Sequence, residues 1–68
     1  MINDELLTDL EIATLKLTKV LLGRTWKAQI LKAWENGKYP VRVKMFIPAL
    51  QNIRNKMSSS WLKTYKGV

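Results

Sequence analysis

A chain of 68 residues with neither cysteine nor histidine has no disulfides, thiolate zinc sites or imidazole ligands to draw on, and its length is near the lower limit for a self-sufficient hydrophobic core. An apolar share of 47% argues against wholesale disorder, and no apolar run approaches the roughly 20 residues that span a bilayer. The net charge of +7 hides an asymmetry: residues 1–11 hold four acids (Asp4, Glu5, Asp9, Glu11) and no base, whereas residues 12–68 hold all twelve bases and one acid, Glu35, for a local net of +11.

The first element in chain order is a helix. Asn3 reads as its cap, with Asp4 and Glu5 in the first turn where the macrodipole favours acids. Leu6, Leu10, Ala13, Leu17 and Val20 or Leu21 fall at helical spacing and predict the face turned to the core, with Gly23 as the stop. Leu7, Ile12, Leu15 and Leu22 lie outside or beside that stripe, so they are assigned to an oligomer interface, most simply a homodimer.

Thr25 caps a second predicted helix that runs to about Asn36 and ends at Gly37. Trp26, Ile30, Ala33 and Trp34 share one face, and burying two tryptophans is the readiest source of apolar area in so short a chain. Arg24, Lys27, Lys32 and Lys38 are left as an edge of basic surface. Tyr39-Pro40 is a turn or an extended link. The segment VRVKMF, 41–46, alternates like a strand, with Arg42 and Lys44 on one side. A lone strand has no partner, so a short helical turn is preferred there, with the extended form as the alternative.

Pro48 suits the first turn of a third helix over 47–57, with Ile47, Leu50, Ile53 and Met57 in register. Ser58, Ser59 and Ser60 then break the pattern and offer a cap for a short last helix, Trp61 to Lys66, closed by Gly67. Trp61, Leu62 and Tyr65 point inward in this reading; Ser59, Ser60, Lys63 and Lys66 point outward. The fold expected is a single all-α domain over 1–68, built from three to four short helices.

Catalysis is disfavoured by elimination. There is no histidine base, cysteine nucleophile or glycine-rich phosphate loop, and Asp9 and Glu11, two apart on a helix, diverge. A binding protein without cofactor or metal is expected. A chain that tolerates so much positive charge points to an anionic partner, nucleic acid first and double-stranded DNA in particular. The acidic opening MINDELLTDLE lacks the basic-then-apolar order of a secretory signal, so a soluble, cytoplasmic protein is expected.

Residues 49–67 have the cadence of a helix-turn-helix, in which the start of the second helix meets the major groove. That frame assigns DNA contacts to Arg54, Lys56, Ser59, Ser60, Lys63 and Lys66, with Arg24, Lys27, Arg42 and Lys44 on flanking phosphates. The strand reading of 41–46 supplies a competing ribbon-helix-helix order, with Arg42 and Lys44 as the readers. The role expected is a small transcriptional regulator of the kind phages and mobile elements encode. Two alternatives share the same charge: a membrane-active cationic peptide of bacteriocin type, and a phage-type inhibitor that docks an acidic host protein.

Overall fold

Thr8 starts the first helix. In the computed structural model, which describes residues 6–67, Thr8 adopts an extended backbone and its hydroxyl accepts the Glu11 N–H at 3.2 Å, while the Glu11 carboxylate accepts the Thr8 N–H at 2.9 Å. This reciprocal capping box satisfies two otherwise orphaned donors and begins α1, Asp9–Leu22. The cap expected at Asn3, with Asp4 and Glu5, lies outside the described residues. Leu6 and Leu7 precede the helix instead of forming its first turn.

The face that α1 buries differs from the predicted one. Leu15 is fully buried, as are Thr18, Thr14 and Glu11, whereas Leu6, Leu10, Leu17 and Val20 are 56%, 70%, 45% and 76% exposed. The buried set follows i, i+3, i+4, i+7 spacing like the predicted stripe, but it is one residue further round, roughly 100° of rotation. Two threonines can face inward because their hydroxyls donate to carbonyls one turn back: Thr14 to Leu10 at 2.8 Å and Thr18 to Thr14 at 2.7 Å. Leu7 and Leu15 therefore belong to the core, and Ile12 and Leu22 pack against it. Leu7 and Leu15 thus lack the free surface expected of an oligomer interface, while Ile12 and Leu22 are half-buried.

Gly23 ends α1 with a positive φ of 81°, and a 3-10 turn over Gly23–Thr25 leads straight into α2, Trp26–Asn36. Thr25 holds the N-cap position but not the predicted hydrogen bond. The Trp26 N–H is taken by the Gly23 carbonyl within the turn, and the Thr25 hydroxyl accepts from Gln29 Nε2 at 3.0 Å. Trp26, Ile30, Ala33 and Trp34 are all buried, as their spacing predicts. Gly37 closes α2 in the left-handed conformation and donates to the Ala33 carbonyl at 2.7 Å.

Residues Val41–Phe46 form a 3-10 segment with a kink at Val43. Val43 is fully buried, while Val41 and Met45 are exposed, so the alternation does not mark a strand face. The described residues contain no strand, which removes the ribbon-helix-helix pairing and with it the placement of Arg42 and Lys44 as readers on a ribbon. Helix α3, Ile47–Lys56, follows with Pro48 in its first turn and buries Leu50 and Ile53. Met57 is extended, and the Ser58 hydroxyl accepts the Trp61 N–H at 3.1 Å to cap α4, Ser59–Thr64. The last helix thus begins two residues before the predicted Trp61 and ends before Lys66, because Ser58 caps and its two following serines enter the first turn. Helix α1 packs on α2, α3 and the 3-10 segment, whereas α4 packs on α2. Leu62 and Tyr65 complete the core beneath α4, with the Tyr65 and Trp61 ring centroids 4.8 Å apart. No helix of the described residues is long and apolar enough to cross a membrane.

The rotation of α1 has a direct test in chemical unfolding. Leu15→Ala opens a cavity in a fully packed site and is expected to lose about 2–5 kcal/mol, whereas Leu17→Ala, on the outer face, changes stability by less than about 1 kcal/mol. Equal losses in urea melts would reinstate the predicted stripe.

Candidate nucleic-acid interface

Arg54, Ser59 and Lys63 come together. They sit on the last turn of α3 and along α4, and with Leu31, Trp34 and Glu35 of α2 they line one open depression of about 290 Å³. The extended Met57 and the Ser58 cap reverse the chain between α3 and α4, which brings Arg54 near the outward side of the last helix. Trp34 forms the floor, 4% exposed. Burial pushes the Tyr39 hydroxyl above its ordinary pKa, and the indole of Trp34 and the positive charge of Arg54 pull it part of the way back. The cationic side chain of Arg54 therefore bears on the same corner of the molecule.

The chemistry available here is anion binding. Arg54, Lys63 and Ser59 line one concave surface, and a guanidinium, an ammonium and a hydroxyl are the donor set that phosphate oxygens accept from. Glu35 shares the depression, but neither Arg54 nor Lys63 forms an ion pair with it, since the one ion pair among the described residues is Lys56–Glu11. The glutamate tempers the positive potential without closing the site.

The other predicted contact residues are distributed differently. Lys56 is drawn to the opposite flank of α3, where its ammonium lies 2.7 Å from Glu11 of α1. The Arg42 guanidinium donates to the Leu21 carbonyl at 3.2 Å, and Gln29 Nε2 donates to the Leu22 carbonyl at 3.3 Å. Both side chains serve carbonyls left open at the C-terminal end of α1. Lys27 donates to the Tyr65 carbonyl and lies 5.8 Å from the centroid of the Trp26 ring, so it ties α2 to the end of α4. Ser60 is exposed and its hydroxyl is 3.0 Å from that of Ser58. Arg24, Lys44 and Lys66 are exposed, with no hydrogen bond or ion pair to another described residue. Lys32 and Lys38 border a second open depression with Gln29, Asn36, Tyr39 and Pro40. Two neighbours of the first depression, Trp34 and Glu35, carry no sequence signal beyond their helix positions, and contact with Arg54 follows only from the packing of α3 on the rest of the core.

The Glu11 site predicts a pH dependence. Burial pushes the Glu11 carboxyl up, but the Lys56 ammonium and the hydrogen bonds from Thr8 outweigh it and hold the pKa below 4.5. A carboxylate depressed in the folded state contributes stability that is fully present above its unfolded pKa and is lost as pH falls through the folded value. Stability is therefore expected to decline below about pH 4.5, and Glu11→Gln is expected to flatten that acid limb while lowering stability near neutrality by roughly 1–3 kcal/mol. Thermal melts of both proteins from neutral to acid pH measure it; parallel pH profiles would show that Glu11 does not drive the acid response.

In comparisons with known proteins, no family model, no curated protein and no solved structure matches this chain.

Proposed function

We propose that this chain binds nucleic acid, duplex DNA in the first instance, through contacts to phosphate made by the depression of Arg54, Ser59 and Lys63 and by the exposed bases around it. The observation that carries this reading is the lack of internal neutralisation. Residues 12–68 contain twelve bases, yet among the described residues only Lys56 is paired with a carboxylate. Charge held in this way repels itself and is offset by an external polyanion. Counterion release from the polyanion then supplies the affinity.

The order of α3, a two-residue connection and α4 keeps the helix-turn-helix succession, and α4 opens on the hydroxyls of Ser59 and Ser60. Helix α4 has six residues and rests on α2, which favours seating on the backbone over deep reading of base edges. Such a protein occupies DNA and excludes other proteins from it, the action of a compact regulator of the type encoded by phages and mobile elements. Arg24, Lys44 and Lys66 extend the contact surface, while Lys27, Lys56 and Arg42 support the fold from beneath it.

Binding to a short duplex, followed by fluorescence anisotropy, tests the proposal. About four phosphate contacts predict a loss of roughly 10²–10³-fold in affinity between about 50 and 300 mM salt. Arg54→Ala with Lys63→Ala is expected to weaken binding about tenfold or more and to reduce the salt slope by about two. Lys56→Ala is expected to lower stability and leave binding nearly unchanged. Salt-independent binding, or a double variant that binds like the parent, would reject phosphate contact at this site.

A further inference from the structure

The outer face of α1 presents Leu10, Ala13, Leu17 and Val20, with Leu6 just ahead of the helix. Leu10, Leu17 and Val20 are 70%, 45% and 76% exposed, although the helix has polar residues such as Thr14 and Thr18 that could have faced water in their place. The intervals of three, four and three residues are those of a heptad seam, narrower than the stripe a helix turns to a globular core. The seam continues sideways: Leu10 also borders an open apolar cleft between α1 and α3 that includes Met45, Phe46 and Pro48, and Met45 is 78% exposed. A second observation fixes the kind of partner. Along the seam the exposed charges separate by end, Asp9 in the first turn and Lys16 and Lys19 in the last two.

We propose that this face is a self-association surface, on which α1 of a second copy of the chain lies antiparallel. Antiparallel packing sets the acidic end of each helix beside the basic end of the other and opposes the two macrodipoles. Charge also selects the register. Asp9 and Lys16 both directly precede a seam residue, so they occupy the same flanking heptad position, and in an antiparallel pair those positions face each other. A register that centres both helices on the middle of the seam brings Lys16 close to its own copy. Sliding one helix along the other by about two turns places Asp9 of each copy opposite Lys16 of the other. That register packs Leu10 into the notch over Ala13 of the facing helix and sets Leu17 against Leu6. A lipid surface is a poorer fit, because anionic headgroups would meet Asp9, and an acidic protein fails for the same reason. The surface shares no residue with the depression of Arg54, Ser59 and Lys63, so self-association stands or falls independently of nucleic-acid binding.

Sedimentation equilibrium of the full chain, freed of nucleic acid by nuclease and high salt, tests the proposal. The mass is expected to rise to that of a dimer as concentration increases to about 500 µM, with a midpoint in the micromolar range because a seam on one 14-residue helix gives a small interface. Leu17→Glu is expected to give a monomer with unchanged helicity by circular dichroism. Asp9→Lys is expected to raise the dissociation constant about tenfold or more, and adding Lys16→Asp to restore it to within about threefold, a recovery of roughly 0.7 kcal/mol or more. A parent chain monomeric throughout would overturn the proposal, as would a Leu17→Glu variant that still dimerises. Failure of the charge swap to rescue would overturn the antiparallel register. A monomeric parent that binds vesicles containing anionic lipid, and loses this with Leu17→Glu, would assign the seam to a membrane surface instead.

Discussion

One buried carboxylate sets the orientation of the longest helix. Glu11 accepts the Thr8 N–H at the start of α1 and the Lys56 ammonium from the end of α3, so a single side chain fixes both where the helix begins and which way it faces. Only the carboxylate of this pair is buried, the Lys56 side chain being 36% exposed, so the pair contributes little net stability, but removing the lysine leaves a buried charge uncompensated. That asymmetry makes it effective at choosing between alternatives. Rotating α1 by one residue would bury Leu10 and Leu17 and gain apolar area. It would also expose Glu11, break its contact with Lys56 across 45 residues of chain and put Leu10 and Leu17 at the positions that Glu11 and Thr18 now hold. The rotation observed is the one in which every buried polar group on α1 has a partner.

The rest of the molecule follows from that choice. With Glu11, Thr14, Leu15 and Thr18 inside, the second apolar stripe of α1 faces outward, and most of the core must come from elsewhere. Trp26, Ile30 and Trp34 of α2, Leu50 and Ile53 of α3, and Leu62 and Tyr65 at the end of the chain supply it. Gly67 lies against the Tyr65 ring so closely that a Cβ there would overlap the ring atoms, which carries tight packing to the last described residue.

The parts of this fold that were legible in the sequence are those governed by local backbone chemistry. Gly23 and Gly37 stop their helices by adopting positive φ, Pro48 enters a first turn where its missing N–H has no consequence, and the Trp26, Ile30, Ala33, Trp34 stripe is unrivalled on its helix. The face of α1 was not legible, because apolar residues occupy two neighbouring stripes and simple hydropathy counts threonine as polar. A threonine whose hydroxyl bonds the carbonyl one turn back has already met its requirement and can be buried. The Thr8–Glu11 capping box was present in the sequence as a Thr-x-x-Glu spacing, and α1 begins there. For the candidate site, the excess of positive charge was legible as a total but not as a surface. Lys27 and Arg42 each reach a backbone carbonyl distant in sequence, 38 and 21 residues away, and only tertiary packing decides which bases are so occupied.

Charge and apolar area are thus sorted onto different elements. Helix α1 carries Asp9, Glu11 and the outward seam, while the depression that gathers Arg54, Ser59 and Lys63 is built from α2, α3 and α4 without any residue of α1. Segregation of this kind has a physical use for a very small binding protein. A chain of 68 residues can make only a few phosphate contacts, and each contributes modestly at physiological salt. Joining two copies through the less basic helix leaves both basic surfaces free and avoids pressing like charges together. The second surface then meets the polyanion at an effective concentration set by the dimer and not by the bulk solution, so affinity grows far more than the number of contacts alone implies. Self-association through α1 and phosphate binding through α3 and α4 are mechanically compatible: α1, in which Asp9 and Glu11 balance Lys16 and Lys19, is the helix free to hold the copies together.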